Sequence, residues 1–243
     1  LSVEGNDELW RKLEATKRRL LSQLMAMGMP VHTRFTDPVH GMSFDFLSSV
    51  PGQSHVMTGH QNGVVTLNAE EAEDAVRERI RAEMREPYRT LLGHFRHEIG
   101  HYYWDLLVPG TAWHDGFRAL FGDETLDYGA ALQNHYDNGP PADWALRYVT
   151  SYASMHPWED WAETWAHYLH MIDALDTAAV HRSEPRSGRF APPWQQKSLD
   201  VYRVESFDSL INRWIPLTLA LNDINRSMGH DDFYPFVILG PVL

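Results

Sequence analysis

Apolar residues recur at helical spacing over residues 7–28, with Leu9, Trp10, Leu13, Leu20, Leu21 and Leu24 on one stripe and Lys/Arg on the other. This predicts a first amphipathic helix, stopped by Gly28 and Pro30. From Val31 to Asn68 the pattern shortens into runs broken by Pro and Gly. Phe44–Leu47, Val56–Thr58 and Val64–Leu67 read as strands, the last two joined through Asn62-Gly63, a hairpin signal. Asn68 is expected to cap a charged helix from Glu70 to Arg85. Pro87 suits the first position of the next helix, whose stripe is Tyr88, Leu91, Leu92, Phe95, Ile99, Tyr102 and Leu106. Val108-Pro109-Gly110 ends that helix, and residues 111–150 carry turn signals between short helical stretches. A further helix runs from His156-Pro157 to about Leu175, its core face formed by Trp158, Trp161, Ala162, Trp165, Leu169 and Ile172. Residues 181–198, rich in Arg, Pro and Ser, read as a long exposed loop. Ser206 to Arg226 returns to helical spacing, with Pro216 expected to kink or break it. The pattern predicts an α+β fold, mostly helical, with a small sheet ahead of the central helices.

Composition narrows the function more than the fold. With 243 residues, 43% hydrophobic and 22% charged, the chain falls among soluble globular proteins. A net charge of -12 argues against nucleic acid as a partner. The absence of cysteine excludes disulfides, a thiolate nucleophile and a Cys-based zinc ribbon. No apolar run reaches the roughly 18 residues needed to span a bilayer, so no membrane partner is expected. The chain opens Leu1-Ser2-Val3 without initiator Met or leader pattern and reads as trimmed, with the cytoplasm as its expected location.

The central helix contains His97-Glu98-Ile99-Gly100-His101, the HExxH pattern. Residues four apart on a helix differ by about 40° in azimuth, so both imidazoles can close on one zinc ion. Glu98, about 100° round from His97, can reach a metal-bound water, where a general base for hydrolysis belongs. A catalytic zinc needs a third protein ligand and an open position. A third His six residues past the second would complete a compact site, but Leu107 stands there. The best source elsewhere is the segment with Glu159 and Glu163, four apart on one face of the later helix. One carboxylate can ligate the metal while the other holds a ligating His by its free ring nitrogen, and spacing alone leaves the assignment open. Asp105, two turns beyond His97, is too far along the axis to share the metal. His60, His94, His156, His167 and His170 either line the cleft or are ordinary hydrogen-bonded histidines, the second reading being favoured, and Gly93 and Gly100 read as places where another element packs closely.

HExxH followed by a distant helix bearing Glu resembles the gluzincin metallopeptidases. The stretches Thr90–Asp105 and His156–Tyr168 resemble the bacterial zinc-binding metallopeptidase family, and the likeness extends to Val56–His60 and Arg226–Gly229. The chain resembles the catalytic part of such proteins, without the N-terminal Cys-rich zinc ribbon that members often carry. The segment around Glu159 is also similar to the third-ligand helix of anthrax lethal factor and of bacterial Pro-Pro endopeptidases. That resemblance implies Glu159 as the metal ligand, Glu163 one turn later as the group that orients a ligating His, and Tyr152 as the oxyanion donor.

The expectation is a single zincin-like catalytic domain over 1–243. It comprises an N-terminal helix and small twisted sheet (1–68), an active helix (87–107) and a C-terminal helical part supplying the third ligand (111–243). One Zn2+ per chain, held by His97, His101 and Glu159, would serve a peptidase acting on peptide or protein substrates through a zinc-bound water, with Glu98 as base. Val64 to Asn68 is the expected edge strand for an extended substrate. A di-iron or di-manganese bundle would need a second Glu-x-x-His, which the sequence lacks. A non-catalytic zinc-binding module would have no use for Glu98, whereas hydrolysis of a non-peptide amide would use the same constellation.

Overall fold

In the computed structural model, which describes residues 5–49, 56–84, 89–180, 201–203 and 206–238, the first helix α1 (Asn6–Ala26) gives way to a turn in which Gly28 takes φ 72°. A positive φ of this kind costs glycine little and strains other residues, so the stop falls where the sequence puts it. Three strands follow: β1 (Ser43–Leu47), β2 (Gly59–Gln61) and β3 (Val64–Asn68). Their order is β1-β3-β2, with β1 parallel to β3 from Ser43↔Val64 to Leu47↔Asn68 and β2 antiparallel from Gly59↔Thr66 to Gln61↔Val64. Asn62 and Gly63 both adopt positive φ (49° and 79°), the two-residue turn that matches strand twist. That turn needs its strands directly alongside, so β2 lies at 59–61 rather than at the expected Val56–Thr58. A second correction concerns β3, the expected edge strand: it is the middle one, with Val65, Leu67 and Asn68 buried.

The expected helix from Glu70 to Arg85 is divided. Asn68 does cap, accepting from Glu70 N at 3.0 Å, but what it caps is a short 3-10 turn, Ala69–Ala72. Extended backbone at Glu73 (ψ 123°) separates this turn from α2 (Asp74–Met84). The break follows from Glu71, whose side chain is buried among polar partners and whose carbonyl accepts from Arg77 Nη1 at 2.9 Å.

Helix α3 (Leu91–Leu107) starts at Thr90 rather than at the expected Pro87, because the extended Thr90 caps it, its hydroxyl accepting from Gly93 N at 3.0 Å. It is buried on most sides rather than along one stripe, with Phe95, Arg96, Glu98, Ile99, His101, Tyr102 and Tyr103 all inside. Phe44 and Phe46 of β1 pack on Phe95, each with ring centroids 6.0 Å away, and Arg96 Nη2 donates to Gln23 of α1 at 2.8 Å. After α4 (His114–Phe121) and α5 (Tyr128–Asn138), α6 (Pro157–Val180) crosses α3 at Gly100. A Cβ at Gly100 would stand 3.1 Å from Ala162 Cα and 3.2 Å from Trp165 Cβ, so only glycine lets the backbones meet this closely. Trp161 Nε1 donates to the Gly100 carbonyl at 2.9 Å and fixes the crossing. On α6 itself Ala162, Leu169 and Ile172 are buried, while Trp158, Trp161 and Trp165 are half-buried.

The chain divides into two compact units, 1–166 with 237–243, and 167–236. The second contains the latter part of α6, a 3-10 turn (Val201–Arg203) and α7 (Phe207–Ser227). Helix α7 continues through Pro216, so of the expected kink or break the break does not occur, and Thr218 Oγ1 donates to the Trp214 carbonyl one turn back at 3.0 Å. Asn222 brackets the backbone of Tyr234 with bonds of 3.0 and 2.9 Å. The readings at Leu1–Val3, Pro87, Tyr88 and 181–198 lie outside the described residues. Among the described residues no helix is long and apolar enough to cross a membrane.

Candidate metal centre

His97 and His101, one turn apart on α3, bring their Nε2 atoms within 3.1 Å of each other. Glu159, in the first turn of α6, points Oε2 at both, 3.0 Å from His97 Nε2 and 3.6 Å from His101 Nε2. These three ligand atoms lie within 4.8 Å of one another, a group able to hold a metal ion. Its chemistry favours one: Glu159 Oε2 is buried with no hydrogen bond, although two imidazole nitrogens face it. A single cation between them satisfies all three, and a buried two-nitrogen, one-oxygen set fits zinc.

The remaining ring nitrogen of His97 is held from behind, where Nδ1 donates to Glu163 Oε1 at 2.7 Å. Glu163 Oε2 in turn accepts from Thr150 Oγ1 at 2.7 Å, and Thr150 also accepts from Ala153 N at 3.0 Å. Trp158 lies tilted over His101 with ring centroids 3.8 Å apart. Glu98 is buried beside this group and Tyr152 packs its ring 6.1 Å from that of His97. All six residues singled out from the sequence therefore meet in the first unit. Asp105 stands outside the group, 3.9 Å from His60 Nδ1.

The electrostatics follow from burial and from these contacts. Burial opposes the charged form of His97, yet the Glu159 and Glu163 carboxylates hold its pKa well above the ordinary imidazole value. Burial also opposes the Glu159 charge, but His101 and His97 depress its pKa strongly. Glu98 has its pKa raised, by burial before all else. Burial and the Glu159 charge push Tyr152 far up, so its phenol stays a neutral donor.

A family described as "Putative zinc-binding metallo-peptidase" matches residues 6–243. The chain belongs to this family. As a family member it is 50% identical over 233 residues to proteins of Mycobacterium bovis and Mycobacterium tuberculosis, both described as uncharacterized. The match covers 96% of this chain and 66% of each relative, so the chain spans just under two thirds of their length. No solved structure matches it.

Two residues of this metallopeptidase-family site escaped the sequence. Tyr128, first residue of α5, donates its hydroxyl to Glu159 Oε1 at 2.9 Å. Helix α5 buries no residue, and an aromatic at its start was the one sign available. Thr150 carried no signal beyond lying two residues before Tyr152. The other histidines have local partners. His156 Nδ1 accepts from Trp158 N at 3.1 Å and its Nε2 donates to the Leu126 carbonyl at 3.1 Å. His60 Nε2 accepts from Gly63 N at 3.0 Å, His94 Nδ1 lies 2.5 Å from Glu71 Oε2, and His167 meets Tyr234 Oη at 2.5 Å.

Proposed function

We propose that the chain is a zinc peptidase of gluzincin type, with a zincin-like catalytic domain over 1–243. His97, His101 and Glu159 hold one zinc ion, Glu98 is the general base and Tyr152 the oxyanion donor. The observation that carries this reading is the buried Glu159 Oε2, bare of hydrogen bonds and facing two imidazole nitrogens. Zinc bound there supplies Lewis acidity, which polarises the scissile carbonyl and acidifies water.

The chain's own residues supply the rest. Glu98 follows His97 directly and projects from the same helix to one side of it, where it takes a proton from the attacking water and passes it to the leaving amine. Its burial raises its proton affinity above that of a free carboxylate, which suits the first of these transfers. The neutral Tyr152 phenol donates a hydrogen bond to the carbonyl oxygen as that oxygen gains charge. Glu163 keeps the His97 ring in place and fixes its proton on Nδ1, leaving the Nε2 lone pair for the metal. With β3 interior, an extended peptide has β1 or β2 to pair with.

The test joins metal content to turnover. Elemental analysis of metal-saturated protein should give about one zinc per chain. Glu98→Gln should keep that zinc and lose cleavage of a peptide library read by mass spectrometry. Two tightly bound iron or manganese ions, or a Glu98→Gln variant that still cleaves, would refute the reading.

A further inference from the structure

The two oxygens of Glu159 are not equivalent. Oε2 faces the two histidines, while Oε1 points away and accepts from the Tyr128 hydroxyl at 2.9 Å. Tyr128 comes from a different element, and the chain fixes it there through two contacts to the start of α6. Its ring packs edge-on to His156 and Trp158, with centroids 5.4 and 5.9 Å away. His156 donates from Nε2 to the carbonyl of Leu126, two residues before Tyr128, while its Nδ1 accepts from Trp158 N. A single imidazole thus ties the approach to α5 to the first turn of the helix that carries Glu159.

A carboxylate with both oxygens free can bind a metal through one or through both. Binding through both fills a coordination position that a hydrolytic site must keep open. A phenol donating to one oxygen removes that freedom, because the bonded oxygen is turned from the metal and its lone pairs are shared with the O–H. The Glu159 oxygen left without a hydrogen bond is then the one that faces the histidines.

We propose that Tyr128 is a positioning residue that holds Glu159 as a one-oxygen metal ligand. This rests on the assignment of Glu159 as ligand, and the experiment separates the two. Zinc affinity is measured by chelator competition for the parent, Tyr128→Phe and Glu159→Ala, and visible spectra are recorded after cobalt(II) substitution. Tyr128→Phe retains the ring that packs on His156 and Trp158 and removes only the hydroxyl. It should weaken zinc binding by roughly 10–100-fold. It should also dim the cobalt bands, since these lose intensity as coordination rises from four to five. If Glu159→Ala abolishes zinc binding while Tyr128→Phe leaves affinity and spectrum unchanged, Tyr128 has no positioning role and this inference falls alone. If Glu159→Ala itself binds zinc normally, the ligand assignment falls and takes the inference with it.

Discussion

Glu159 and Glu163 lie one turn apart on α6, yet their surroundings give them different work. Glu159 is buried and turns a bare oxygen to two imidazoles; Glu163 is half-buried and bonded at both oxygens, to His97 and Thr150. On the proposed assignment, removing the first takes a donor from the metal, so Glu159→Ala should abolish stable zinc binding. Removing the second frees the His97 ring to rotate and shift its tautomer, at a cost of roughly 10–100-fold in affinity. Competition against a graded set of chelators measures both, and a larger loss from Glu163→Ala would exchange the two roles. Much of this centre was legible beforehand for a physical reason. Helical periodicity converts the spacing of His97 and His101, and of Glu159 and Glu163, directly into shared faces. Tyr128 and Thr150 were not legible, because each reaches its carboxylate through a loop whose path no periodicity encodes.

At the scale of elements, legibility again divides by mechanism. The stop at Gly28 and the Asn62-Gly63 turn were readable because backbone sterics at one or two residues decide them. The division of the charged helix at Glu73 was not, since it depends on where the Glu71 side chain goes. Glu71 accepts from Thr58 Oγ1 at 2.8 Å and meets His94 of α3 at 2.5 Å and Arg89 at 3.3 Å, joining the turn after β3 to α3. Although burial opposes its charge, His94 leads Thr58 and Arg89 in bringing its pKa down from 4.5 to about 2. A carboxyl with a depressed folded-state pKa contributes stability that is fully present above 4.5. That contribution is lost as the pH falls through about 2. Glu71→Gln should therefore be less stable than the parent at neutral pH, with the gap closing between pH 4.5 and 2 in urea titrations. A gap that stays constant across that window would show that the charge of Glu71 contributes nothing.

At the scale of the whole molecule, the proposed metal donors link α3 to α6, so metal occupancy and folding should be coupled. Zinc at 100 times its dissociation constant should add about 2.7 kcal/mol of stability. For a chain of this size that corresponds to a rise of roughly 5–10 °C in the unfolding midpoint, removed again by chelator. Calorimetry checks it, and a midpoint indifferent to zinc would mean that the metal does not bind the folded state selectively.

The spacing of the three donors along the chain has a kinetic consequence. His97 and His101 share one helix and come into register as soon as that helix forms, whereas Glu159 arrives only after the long intervening segment has folded back. Closing that segment carries an entropy cost that the unfolded chain regains on opening. A cation held by all three donors therefore acts as a reversible clasp, fastened after the costly step rather than before it. Its grip should appear mainly as slower unfolding, with the rate of folding nearly unchanged.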